Sequence, residues 1–439
     1  MLKKTARFAA GMALLAPFAA HAQDLAQSSA LADAADSGDT AWILISSALV
    51  LMMCMPGLTL FYGGLVRAKN FLSVMVQVGA IAAVASLLWI MVGYTLAFGP
   101  VTNGWIGAGT NFMFNALGNV RANTSVPESG FALFQMTFAA ITPALMVGAW
   151  VDRARFGWVV TFCALWGLIV YAPVAHWLWG GGWMATRLGA LDFAGGIVVH
   201  TTAGVSALIT AALLGRRMGF PKTLMMPHSP ALTMAGAALL WVGWFGFNGG
   251  SALAANDDAA AAIINTHAAA AAAAMVWLLI ERFVVGKATS VGFATGAVAG
   301  LATVTPAAGY ISPGAAIVFG IAAAVICFPM IGFVKNKLKI DDSLDVFAVH
   351  GMGGISGSIL SAVFMSPALG GTGYAEGMGM GSQLVAQAVA VGVVALWSAV
   401  ASGVLAVGVG LAFPIRVGED AEREGLDLSS HGERAWELD

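Results

Sequence analysis

The stretch Trp179-Gly-Gly-Gly182, continued at Leu191-Asp-Phe-Ala-Gly-Gly-Ile-Val-Val-His200, decides how the chain is read. One acid, Asp192, precedes one histidine, His200, by eight residues, and the run between them is apolar and glycine-rich. The same spacing returns at Asp342 and His350. Lipid solvates ionisable groups poorly, so those inside apolar segments face a bundle interior or a polar pathway. Two of them at matching positions organise the rest of the chain.

The surroundings are those of a membrane protein. Of 439 residues, 59% are apolar and 10% charged, with a mean hydropathy of +0.84, whereas water-soluble domains carry roughly 25% charged residues. The net charge of -2 is spread over loops and a tail instead of forming a basic face, which excludes a nucleic-acid partner. Cys54, Cys163 and Cys327 all lie in apolar runs and read as small buried residues, not as a disulfide framework. Residues 1–22 have a basic start (Lys3, Lys4, Arg7), a short apolar run and a closing Ala20-His21-Ala22, the pattern of a cleavable signal peptide. Its removal leaves 23–40 as an extracytoplasmic segment, followed by a membrane domain at 41–415 and a cytoplasmic tail at 416–439.

Apolar runs of about 20 residues are needed to cross a ~30 Å hydrocarbon core. Eleven occur, near 41–66, 71–97, 131–151, 156–175, 193–215, 231–250, 259–280, 288–309, 313–334, 344–366 and 381–413. The expected fold is an all-α polytopic membrane protein. One set of alternate loops holds Arg67, Lys69, Arg153, Arg155, Arg216, Arg217, Lys222, Arg282, Lys287, Lys335, Lys337, Lys339 and Arg416; the other holds only Arg121 and Arg187. Cytoplasmic loops carry the excess of Lys and Arg, so the amino terminus is expected outside and the carboxyl terminus inside. A final run of 33 residues, Gly381 to Phe413, exceeds what the membrane needs and must tilt or bend.

A weak repeat joins the halves: Phe61-Tyr-Gly-Gly64 closes span one, Phe247-Asn-Gly-Gly250 closes span six, and the two Asp-to-His pairs open spans five and ten. Five spans per half insert the halves in opposite senses, a 5+5 inverted repeat with its site expected at mid-bilayer and span eleven outside it. Eight residues at 1.5 Å each bring His200 and His350 about 12 Å in from opposite edges. The two rings are therefore expected to face each other inside the bundle. Taken singly, each histidine is equally well read as a core residue bonded to a backbone carbonyl; their repeat-related positions favour the pair. Metal binding is disfavoured, since no carboxylate or cysteine stands at ligand spacing and a structural zinc takes four protein ligands.

Asp192 and Asp342 stand where a carboxylate caps the first N–H groups of a helix. For Asp342 capping is a sufficient role. Asp192 fits either a cap alone or a cap that also favours a cation at the outer mouth. Phe134, Phe138, Trp179 and Phe247 could hold a small cation against their ring faces, or belong to an interfacial aromatic belt. Span seven is nearly pure alanine around Asn265, Thr266 and His267, a surface suited to close helix approach, with His267 expected to be packed and hydrogen-bonded to a neighbour.

Taken together, Phe61-Tyr-Gly-Gly-Leu-Val-Arg67, Trp179-Gly-Gly-Gly182, the Leu191–His200 run, Gly243-Trp-Phe-Gly-Phe-Asn-Gly-Gly-Ser251 and Asp345-Val-Phe-Ala-Val-His-Gly351 resemble bacterial ammonium transporters of the Amt/Rh family over nearly all of the mature chain. The resemblance implies a homotrimer in the bacterial inner membrane, with one narrow apolar pore per subunit and no cofactor or enzymatic activity. It implies an outer ammonium-recruitment site at Phe138, Trp179 and Ser251 with Phe134 close by, and a gate of stacked rings at Phe138 and Phe247. By the same resemblance His200 and His350 line the pore, and Asp192 shapes the vestibule without binding the ion. Ammonium is then expected to arrive as a cation, lose its proton and cross largely as ammonia. The tail around Glu422-Arg-Glu-Gly-Leu-Asp-Leu-Ser-Ser-His-Gly432 resembles the family's cytoplasmic terminus, implying a docking face for a PII-type signal protein; on composition alone it reads as a disordered end. Alternative functions are an ammonium sensor, which normally carries a large signalling extension, and a carbon dioxide channel of the Rh type.

Overall fold

The computed structural model describes residues 34–109, 111–223 and 225–436, so the expected signal peptide and most of segment 23–40 lie outside the described residues. The apolar runs form eleven helices long enough to span: α1 Ser37–Leu65, α2 Ala68–Phe98, α3 Glu128–Trp150, α4 Phe156–Thr186, α5 Gly196–Leu214, α6 Pro230–Ala252, α7 Asp257–Val284, α8 Ser290–Ala307, α9 Pro313–Leu338, α10 Phe347–Phe364 and α11 Met380–Ala412. Their starts are fixed by short polar side chains that accept a first-turn N–H: Asp36 for α1, Ser229 for α6, Asn256 for α7, Thr289 for α8 and Ser312 for α9. Pro230 and Pro313 follow their caps directly, where a proline's missing N–H leaves no bond unmade. The fourth span runs past its expected end near 175. A π-helical turn at Gly167–Tyr171 precedes Pro173, helix continues through Leu178, and a short turn adds Trp183–Thr186.

α5 and α10 meet almost backbone to backbone. A Cβ on Gly204 would stand 2.3 Å from the Gly351 Cα, and one on Gly354 would stand 2.3 Å from the Gly196 carbonyl oxygen. Small residues at both faces permit this approach, as in other packed membrane helices. Both helices open with π-helical turns, Gly196–Thr201 and Phe347–Gly351, each preceded by its aspartate. α11, at 33 residues, would be about 50 Å long at 1.5 Å per residue. Polar clamps fix it: Gln387 donates to the Leu191 carbonyl at 2.7 Å and accepts from the Leu191 N–H at 2.8 Å, while Ser402 bonds Ser206 at 2.7 Å.

α7 packs its alanines against α8 and α9, and Asn265 donates to the Ala308 and Ile311 carbonyls at 2.8 and 2.7 Å. His267 departs from expectation. It lies on the exposed face of α7, makes no hydrogen bond among the described residues, and leans on the Trp241 ring at 5.3 Å.

Nor does the tail stay a disordered end over its described part. A short helix α12, Glu419–Glu424, docks beside the α2 start. Glu422, 1% exposed, pairs with Arg416 at 2.7 Å and accepts the Met218 N–H at 2.7 Å. Asp427 accepts the Leu72 and Ser73 N–H groups at 3.1 and 2.8 Å, capping α2 from a distant part of the chain. Beneath them Arg217 grips Asp341 with two side-chain bonds of 2.9 and 2.8 Å, and buried Arg153 donates to the Asp341 carbonyl and the Ser343 hydroxyl, both at 2.7 Å.

Candidate functional site

Asp192 sets the local geometry. Gly195 adopts φ +119°, open to glycine, and lets the chain fold back so that the N–H groups of Gly195, Gly196, Ile197 and Val198 all reach the carboxylate, at 3.0, 2.7, 2.8 and 2.9 Å. Four donors fill the four lone-pair positions of a carboxylate. Asp192 is thus spent as a cap, and its charge reaches a visitor only through space. Burial pushes its pKa up to about 6, against the pull of the four N–H groups. Asp342 does the same work for α10 with fewer bonds, accepting the Phe347 N–H at 2.8 Å; burial, then the neighbouring Asp345, raises it to about 6.

Above α5 lies a vestibule of about 780 Å³ whose wall includes Phe138, Trp179, Asp192, Ser251, Asp258 and Tyr310. Trp179 is held by a 2.7 Å bond from its indole N–H to the Asp192 carbonyl, so the long loop through Trp183 and Arg187 does not displace it. The Ser251 hydroxyl donates to the Phe247 carbonyl at 2.8 Å. At the floor, Phe138 stands edge-on to Trp179 at 6.0 Å and lies over Phe247 at 4.3 Å with 32° between planes. Phe134 is placed differently from the other three. It is fully buried behind Phe138, 4.9 Å from it, and takes no part in the vestibule wall.

Below the two rings the column continues without a break. Phe247 to His200 is 6.0 Å, and His200 to His350 is 5.2 Å, the planes 21° and 22° apart. The two Nδ1 atoms are 3.2 Å apart, so one carries the hydrogen and the other accepts it. Nε2 of His200 is buried with no partner among the described residues. Trp244 backs His200 at 5.5 Å and is itself pinned by a 2.9 Å bond to Thr305. The space beside the rings is lined by Leu240, Val199, Ile141 and other apolar side chains and holds about 10 Å³, close to the least that admits one water-sized molecule. A wide wet lumen is excluded. Past His350 and Phe61 a third cavity of about 180 Å³ opens at the end where the tail docks.

His200, His350 and Phe247 all sit in π-helical turns, the last at Phe245–Gly249. Such turns insert an extra residue and turn a side chain off the regular helix face, and they recur at functional sites. Residue type did not reveal them; the glycines flanking each turn were the available signal. Asp258, Tyr310 and Gln135 also line the vestibule and carry no repeat motif that would single them out. Among the described residues there is no cluster of three or more metal-ligating side chains.

Comparison with known proteins agrees with this architecture. The Ammonium Transporter Family model matches residues 41–436. An ammonium transporter of Aquifex aeolicus is 44% identical over 406 residues, covering 92% of this chain and 94% of its own length. Among solved structures, Saccharomyces cerevisiae Mep2 superposes with a TM-score of 0.81 at 36% identity, covering 89% of this chain and 91% of that one. A sensor Amt protein superposes at 0.84 with 29% identity, covering 90% and 98%.

Proposed function

From the premise that the chain belongs to the ammonium transporter family, we propose that it takes up ammonium across the bacterial inner membrane by admitting it as a cation and conducting it as ammonia. The family settles that this is a multi-pass transporter of ammonium and not an enzyme. In the proposed orientation the vestibule faces outward and the docked tail faces the cytoplasm. Phe138, Trp179 and Ser251 then hold the ion by ring faces and a hydroxyl, with Phe134 supporting Phe138 from behind, and Phe138 with Phe247 closes the passage beneath.

The energetics favour shedding the proton there. Moving a bare ion of ammonium size into a medium of low dielectric costs of order 20 kcal/mol by the idealised estimate and still several after relaxation. Releasing a proton at neutral pH costs roughly 4 to 5 kcal/mol, taking the lysine value of ~10.4 for the acid. The neutral molecule then passes an apolar space sized for one small guest. Along that path His200 and His350 share one hydrogen, and Nε2 of His200 is left to accept a hydrogen bond or relay a proton. Potassium has no proton to release, so it stays outside whatever its radius.

The observation that carries this reading is the 3.2 Å imidazole pair beside a narrow apolar space, with a wider cavity above the rings and another below them. Methylammonium uptake into proteoliposomes with current recorded simultaneously tests it. Wild type should transport and exclude potassium, whereas the His200→Ala, His350→Ala protein should lose flux or admit potassium; normal flux with intact potassium exclusion in that variant would defeat the reading. We also propose the homotrimer, and the docked tail as the seat of a PII-type signal protein. A pull-down with the cognate protein at varied nucleotide ratios should retain it, and deletion of 416–439 should abolish retention. A sensor role has the likeness to the sensor Amt protein in its favour; a chain that signals without measurable uptake in the first assay would establish it.

A further inference from the structure

The cavity beyond His350 contains a charged pair outside the pathway just described. Asp345 and Lys335 meet in its wall with Oδ1 and Nζ 2.7 Å apart, side chains 20% and 25% exposed. Lys335 Nζ also donates to the Ser343 carbonyl at 3.4 Å. Phe61 and His350 line both this cavity and the narrow passage, so whatever leaves the histidines enters here.

The acceptors are held in place whether or not the lysine is there. The Ser343 hydroxyl takes a 2.7 Å bond from buried Arg153, and the Leu344 N–H donates to the Gly148 carbonyl at 3.0 Å. Asp345 adopts φ +63°, a left-handed conformation that an aspartate tolerates better than most residues and that fixes where its carboxylate leaves the backbone. The arrangement is a carboxylate and a carbonyl converging on one ammonium group. That group is the ε-ammonium of lysine, chemically an alkylated copy of the transported ion.

We propose that Asp345 and the Ser343 carbonyl form an exit site for a small primary ammonium cation, and that Lys335 is its tethered occupant. The inference rests on the transport reading above. Ammonia reaching this wet cavity takes a proton from the inner solution and becomes ammonium again, because its acid form prevails at neutral pH. A bare carboxylate at the mouth would hold that ion and slow its departure. Lys335, present at the high effective concentration of a tethered group, takes the place first. The exit is thereby kept free of its own product.

Right-side-out vesicles preloaded with ammonium chloride test this by its effect on uptake of external labelled methylammonium. Lys335→Gln and Lys335→Met should each retain measurable uptake into ammonium-free vesicles. Each should lower the internal ammonium concentration that halves uptake by at least five-fold relative to wild type. Adding Asp345→Asn to either should restore the wild-type value, Asn being suited to the same backbone conformation. An unchanged half-inhibitory concentration in both single variants overturns the exit site, as does persistence of the shift without the Asp345 carboxylate. Loss of uptake into ammonium-free vesicles in both single variants also overturns it, since a carboxylate that only delays departure lowers flux without abolishing it. Wild type that fails to accumulate methylammonium in ammonium-free vesicles defeats the transport reading itself, a separate outcome.

Discussion

Asp192 has all its acceptor positions occupied by backbone, so its influence on an arriving ion depends on whether it is charged. Burial raises it to about 6, so it is ionised above that pH and neutral below it. Over the same interval free ammonium hardly changes in concentration, its acid form dominating below pH 8. Uptake at fixed total ammonium should therefore show an added fall as the vestibule side is acidified through about pH 6, and Asp192→Asn should show a lower profile that lacks this added step. An asparagine offers one acceptor oxygen for donors that now share two, and loss of a cap of this kind costs typically about 1 kcal/mol. Much at this scale was readable from the chain. His200 and His350 were placed by helix rise and repeat position, and their rings lie 5.2 Å apart; Phe134 lies close by Phe138, as the resemblance implies, but behind it and outside the vestibule wall. That Asp258 lines the vestibule and that Asp345 pairs with Lys335 was not readable, since which side chains share a cavity wall is set by contacts between segments.

At the scale of the helix, the positions of the two imidazoles are inherited from glycine. Gly354 lies against the Gly196 carbonyl and the His200 Cβ, where an added methyl would stand at 2.3 and 2.8 Å. Neither neighbour is a flexible side-chain end, so the methyl must part the two helices. Gly354→Ala should cost about 1 to 3 kcal/mol of stability, the range for overpacking, and lengthen the separation of the two ring nitrogens. Uptake should fall more than ten-fold at a protein level shown equal by immunoblot, with a lowered melting temperature in detergent. All eleven spans were legible because hydropathy registers burial in lipid whatever the neighbours. The π-helical turns, the length of α4 and the exposed seat of His267 were not, since each is settled by contacts between segments and not by local composition.

Across the whole molecule, the tail ties α12 to the loops before α2 and after α5. Asp427 is the remote cap of α2, and the Leu426 N–H bonds Asn70 at 2.7 Å, so cutting either contact should free the tail without disturbing the passage. Asp427→Ala removes two bonds at a helix start, worth about 1 kcal/mol, which corresponds to roughly a five-fold rise in the detached population. Limited proteolysis within 419–431 should accelerate by that factor while methylammonium uptake and potassium exclusion stay as in wild type. Equal cleavage rates would show that the tail is held by other means.

The close approach of Gly204 to Gly351 has a bearing on control. Where two main chains touch, the spacing of the helices that carry the two imidazoles is dictated by covalent geometry, and they cannot be drawn closer together. Any narrowing or widening between them must then come from the side chains that line the space, the aromatic rings among them.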